Sequence, residues 1–178
     1  GTDNIYMGHN AGRSSSTVPD NTGAHNVFMG AYAGTYNVTG TYNVFFGCRA
    51  GGNNTCGNEN VFIGRAAGQS SANGTEPMRS VAIGPSAHQF LCSGCNVAIG
   101  MNAGQGVSGS STGQKNVFVG RYAGSNNTTG DNNVFLGEYA GGEGLVTGNS
   151  NVVLGTQAGQ DLTSGFNNVF LGNLAAQK

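Results

Sequence analysis

A nine-residue motif, N-V-F-x-G-x-x-A-G, recurs ten times along the chain, and only a repeat architecture accommodates that. Its central glycines are Gly8, Gly30, Gly47, Gly64, Gly84, Gly100, Gly120, Gly137, Gly155 and Gly172. The intervals between them run 22, 17, 17, 20, 16, 20, 17, 18 and 17, so the base period is 17 with insertions. A Thr-Gly pair precedes five of the motifs, at Thr22-Gly23, Thr39-Gly40, Thr112-Gly113, Thr129-Gly130 and Thr147-Gly148, with Cys56-Gly57, Ser93-Gly94 and Ser164-Gly165 as variants before three more. Each period therefore reads as one coil of a stack.

The columns of the repeat say what kind of coil. The first apolar column is Ile5 followed by nine valines, Val27 to Val169. Two residues later stand Met7, Met29, Phe46, Ile63, Ile83, Ile99, Val119, Leu136, Leu154 and Leu171. In an extended chain these two columns share one face, and the residue between them points the other way. That middle column is Tyr6, Phe28, Phe45, Phe62, Phe118, Phe135 and Phe170, with Ala82, Ala98 and Val153 elsewhere. Short β-branched and aromatic runs between glycines predict strands and exclude helices. The fold class expected is all-β: a parallel β-solenoid (β-roll) of about ten 17-residue coils, each pairing with its neighbours. The Asn before the valine, present in nine of ten repeats with Ser80 as the exception, suits a hydrogen-bonded ladder.

One strand face must fill the interior and the other needs a cover. Reading Val and Leu as interior leaves Tyr6, Phe28, Phe45, Phe62, Phe118, Phe135 and Phe170 as an exposed stripe. Soluble monomers rarely tolerate such a stripe. The expectation is a homotrimeric rod with these rings as the oligomer core, or copies stacked end to end. The alternative is that Phe fills the interior and Val and Leu line the outer seam.

Composition narrows the function. Glycine is 33 of 178 residues, Asn is 23, and only 8% of residues are charged. A formal net charge of −1 offers no surface for neutralising phosphates, so nucleic acid is not an expected partner. No apolar run reaches the roughly 18 residues of a membrane span, so membrane insertion is not expected.

Ser80-Val81-Ala82-Ile83-Gly84-Pro85-Ser86-Ala87 and Asn96-Val97-Ala98-Ile99-Gly100-Met101-Asn102-Ala103 resemble the head repeats of trimeric autotransporter adhesins. The fuller N-V-F-x-G-x-x-A-G-x-x-N-x-T-G form is similar to repeat regions of bacteriophage tail fibres and large bacterial surface proteins. The resemblance covers the whole chain and implies a left-handed parallel β-roll that trimerises. It implies an architecture and names no ligand. The longer period and the Phe column depart from the adhesin pattern, which allows a wider core or a different subunit packing.

The array starts and stops inside its own motif, and we expect residues 1–178 to be one solenoid segment of a longer fibre. The long insertions, Arg13–Asn21, Gln69–Thr75 and Gln105–Ser111, all fall on one edge, where a fibre would carry recognition. Neutral drift in solvated loops is the alternative. The patch singled out for a host-surface glycan or protein is either Tyr32 beside the first insertion or Arg121 and Tyr122 beside the third. Cys48 and Cys56 flank one four-residue loop, so a disulfide between them is expected. Cys92 and Cys95 would form either their own bond or interchain ones, with free thiols as the alternative. Disulfides would place the chain outside the cell, on a cell surface or on a virion.

Catalytic readings find little support. None of the eight acidic residues recurs in a column that would place two carboxylates at glycosidase separation, and His9, His25 and His88 occupy different columns, so neither a carboxylate pair nor a metal cluster is expected. Gly104-Gln-Gly106-Val-Ser-Gly109 matches a phosphate-loop pattern, but no helix is expected after it. The expected function is a structural or adhesive fibre segment without catalysis, cofactor or metal. The competing readings are an ice- or surface-binding solenoid, from the Thr of Thr-Gly, and the stalk of a polysaccharide-degrading fibre enzyme.

Overall fold

The structure is a computed structural model that describes residues 1–13, 21–69, 79–90, 93–141, 144 and 146–176. Every regular element among them is a three-residue strand: β1 (Ile5–Met7), β2 (Val27–Met29), β3 (Val44–Phe46), β4 (Val61–Ile63), β5 (Val81–Ile83), β6 (Val97–Ile99), β7 (Val117–Val119), β8 (Val134–Leu136), β9 (Val152–Leu154) and β10 (Val169–Leu171). They form one ten-stranded parallel sheet in chain order. The register keeps each column in line, with Val27 opposite Val44 and Phe28 opposite Phe45. The chain is thus a β-solenoid, and coils are numbered here by their strands.

The strands are short because both ends are fixed by backbone geometry. Two residues before each valine the chain is left-handed, as at Tyr42 (φ 58°) and Glu59 (φ 60°). Directly after the strand the central glycine turns the chain, at φ 136° for Gly47. A Cβ on Gly47 would fall 2.6 Å from the carbonyl oxygen of Gly64 in the next coil, so only glycine fits. Backbone bonds then join neighbouring coils right around the circumference. The Val44 N–H donates to Asn60 O at 2.8 Å, Gly34 N–H to Ala50 O at 3.0 Å, and Val38 N–H to Thr55 O at 2.8 Å.

The core corrects one sequence expectation. Phe28, Phe45, Phe62, Phe118 and Phe135 have no exposed surface and lie inside the solenoid of a single chain. They are therefore not the core of an oligomer. Tyr6 and Phe170 occupy the same inward column in the first and last coils and are partly covered. The rings stack up the axis: Tyr6 on Phe28 at 5.1 Å, Phe28 on Phe45 at 4.7 Å, and Phe45 on Phe62 at 5.0 Å. The physical reason is the Ala-Gly pair across the coil. Ala33, Ala50, Ala67 and their equivalents from coil 2 to coil 9 are fully buried, and the adjoining glycine of the Phe-bearing coils lies against the ring. A Cβ on Gly51 would come within 2.6 Å of three ring atoms of Phe45. The two smallest side chains face the largest, and together they close the interior. Each ring contributes about 1.5–3 kcal/mol by burial, and each stacked pair about 0.5–1.5 kcal/mol more.

Candidate functional site

Inside the sheet's leading edge, the Asn column forms the ladder its recurrence suggests. Asn26 Oδ1 accepts from the Asn43 backbone N–H at 2.9 Å and from Asn43 Nδ2 at 3.2 Å. Asn43 Nδ2 also donates to Gly57 O at 2.7 Å, while its Oδ1 accepts from Asn60 N–H at 3.0 Å. All of these groups are buried, so the amide column satisfies backbone groups that no strand reaches. At Ser80 the rung thins: Asn96 N–H reaches Ser80 Oγ at 3.3 Å.

With Phe turned inward, the Val column and the column two residues later face out. Val44, Phe46, Ile63, Ile83, Ile99, Val152 and Leu154 are all exposed, Phe46 by 51%. At about 4.8 Å per strand, nine spacings make this stripe about 43 Å long. Two columns on one strand face are about 7 Å apart, which with their flanks gives on the order of 600 Å² of apolar surface. That is the upper end of what a monomer normally shows.

Two rims of side chains border the stripe. On one, the left-handed position before each Asn carries Asp3, His25, Tyr42, Glu59 and Arg79. The His25 ring stacks on Tyr42 at 4.8 Å, its Nδ1 stands 3.8 Å from an Asp3 carboxylate oxygen, and Arg79 Nε donates to Glu59 Oε2 at 2.9 Å. On the other rim Arg49 lies over the Tyr32 ring at 6.0 Å, and Tyr32 meets His9 edge-on at 5.4 Å. Further along that rim Tyr122 stacks on Tyr139 at 4.9 Å, with the Arg121 guanidinium over both rings and hydrogen-bonded to Glu138. That bond raises the Arg121 pKa above its ordinary value.

The rim holds all three residues proposed for ligand contact, in two separate places. Tyr32 is in coil 2 and Tyr122 in coil 7, five coils or about 24 Å apart. Within the second cluster, Arg121 is already paired with Glu138, and the two rings stack on each other. Glu138 and Tyr139, which complete that cluster, carry no local sequence signal. Only the one-coil offset from Arg121-Tyr122 could have indicated them.

The expected 48–56 disulfide is absent: Cys48, Cys56 and Cys95 are free and exposed. Cys48 opens the turn after β3, whereas Cys56 stands beside Gly57 on the leg returning to β4. The buried Ala50 and Asn54 lie on the path between them. Cys92 lies outside the described residues, as do residues 14–20 and 70–75 of the first two insertions. In the third insertion Ser111 is buried, and its hydroxyl donates to Asn127 O at 3.2 Å. Among the described residues, no group of three or more His, Cys, Asp or Glu is placed to hold a metal ion.

His88 is the residue that sequence reasoning passed over. It replaces the glycine of Ala-Gly in the one coil where that glycine is exchanged for a large side chain and Phe is exchanged for Ala82. It is fully buried, neither ring nitrogen has a partner, and burial pulls its pKa down to about 4. The paired exchange, large for small on both sides of one coil, was visible in the sequence.

No protein-family model matches the chain, and neither does any curated protein or solved structure.

Proposed function

We propose that the chain is a shaft segment of a surface fibre, a homotrimeric rod that holds recognition elements in place and does no chemistry. The observation that carries this reading is the unbroken apolar stripe along a ladder bonded coil to coil from β1 to β10. Three such stripes meeting on a threefold axis bury their Val, Ile and Leu columns in one closed core, with no unsatisfied face left over. Each chain then covers on the order of 600 Å² of apolar surface against its two neighbours together. The interface of this proposal is therefore the outward aliphatic stripe, and the Phe column serves each chain's own interior.

The resemblance to phage tail-fibre and adhesin-head repeats supports the same reading, as does the use of the invariant columns. Phe, Ala and Gly fill and turn the coil, and Asn satisfies the backbone. A fibre of this kind works on a virion or cell surface, where free thiols at Cys48, Cys56 and Cys95 are also open to interchain bonds. Host glycans or proteins are the partners such a fibre would meet.

Imaging by negative-stain electron microscopy, with thermolysin digestion in parallel, tests the reading. An elongated three-chain particle that resists digestion supports it. A globular or single-chain particle that is quickly degraded overturns it.

A further inference from the structure

We propose that coil 5 is an acid-labile joint, at which protonation of His88 expels its ring from the core and parts the stack between coils 4 and 7. The inward column across this region reads Phe62, Ala82, Ala98, Phe118 in strand register. Two successive alanines remove two rings from a column that is otherwise aromatic except at Val153 in coil 9. His88 fills part of that space, with its ring 6.2 Å from Phe62. Its backbone is held at φ 52°, left-handed, in a column where most coils carry glycine. Its N–H is bonded to Ala103 O at 3.0 Å, so the strained residue is fixed to coil 6.

Nothing in this core welcomes a charge. β4, β5, β6 and β7 contribute Phe62, Ala82, Ala98 and Phe118, and the facing turns contribute Ala67, Ala87 and Ala103, none of them titratable. Among the described residues, the charged groups of these coils stand outside: Arg65, Lys115 and Arg121 are exposed, and Glu59 and Arg79 pair with each other on the rim. The exposed Cys95 is also on the rim, while His9 and His25 belong to coils 1 and 2. An imidazolium has two N–H donors, and both nitrogens of His88 are buried without an acceptor. The protonated ring is stable only in water, and reaching water means leaving the coil.

The sign follows from the folded-state value of about 4 against 6.5 for a free imidazole. The opened state takes up its proton first as pH falls through the ordinary His range, so stability is lost between about pH 6.5 and 4 and is constant below. By pH 4 the closed-to-open ratio falls by about 100-fold.

The test compares the native protein with the double variant Ala82→Phe/His88→Gly, which gives coil 5 the Phe and Gly of its neighbours and keeps His9, His25 and every carboxylate. Urea unfolding at pH 7 and pH 4 should show the roughly 100-fold extra loss in the native protein only. Equal losses in both proteins overturn the proposal. A readout on the native protein stands even if the variant does not fold. Side-chain NMR of 15N-histidine-labelled protein should show the His88 ring still neutral at pH 5. A His88 ring already protonated at pH 5 in the folded protein would refute it. Hydrogen exchange at pH 4.5, corrected for intrinsic rates, should show residues 79–90 opening before coils 2 and 3. Uniform opening would show that no joint exists there.

Discussion

The fit of ring against glycine in each coil can be measured by a double-mutant cycle on Phe45 and Gly51. Phe45 is fully buried and held between Phe28 at 4.7 Å and Phe62 at 5.0 Å, so it has no direction in which to yield. Gly51→Ala therefore has two costs. The left-handed backbone at φ 57° costs an alanine about 1 kcal/mol. The new methyl, within 2.6 Å of three ring atoms, adds an overpacking cost of about 1–3 kcal/mol. The sum, about 2–4 kcal/mol, lowers a urea midpoint by about 1–2 M at a slope near 2 kcal/mol/M. Phe45→Ala alone should cost about 3–5 kcal/mol through its cavity. In that background the ring is gone, and Gly51→Ala should cost only its backbone share of about 1 kcal/mol. The cycle thus predicts a coupling of about 1–3 kcal/mol, read from urea unfolding followed by circular dichroism. Strict additivity would refute the claim that this glycine is required by the ring.

Two further substitutions probe the amide ladder. Asn43→Leu leaves the buried Asn60 N–H without its acceptor, while Gly57 O keeps its bond from Asn54 Nδ2, and should cost about 1–3 kcal/mol in thermal or urea unfolding. Loss of under 1 kcal/mol would mean the ladder is incidental. Ser80→Asn restores the missing rung beneath Asn96 and should stabilise by about 1 kcal/mol in the same assay, where a destabilised variant would contradict the ladder geometry.

Much of the fold is legible in the sequence because the repeat states its own geometry. The Val-x-Leu columns coincide with the three-residue strands, and the glycine after each strand marks its end. The direction of the Phe column was not legible from the strand alone. Val44, Phe45 and Phe46 are all apolar, so either face could be the interior. What resolves it is the opposite side of the coil, where Ala50 and Gly51 leave room for one ring. The paired exchange of Ala82 and His88 carries the same information. Cys48 and Cys56 misled because closeness in sequence does not survive a coil whose two legs separate them. The left-handed positions of Tyr32 and Tyr42 were illegible too, since tyrosine carries no turn signature and the conformation is imposed by neighbouring coils.

The Phe column fills each chain's own interior, and the outward Val, Ile and Leu columns are the proposed interface. Native mass by sedimentation equilibrium, measured on the 18.0 kDa chain and on its Ile63→Lys/Ile83→Lys/Ile99→Lys variant, tests that interface. The outward stripe predicts about 54 kDa for the native protein, three times the 18.0 kDa chain, and a folded monomer for the variant. A native protein that sediments as a folded 18.0 kDa monomer at tens of micromolar, or a triple variant that still assembles, would contradict it.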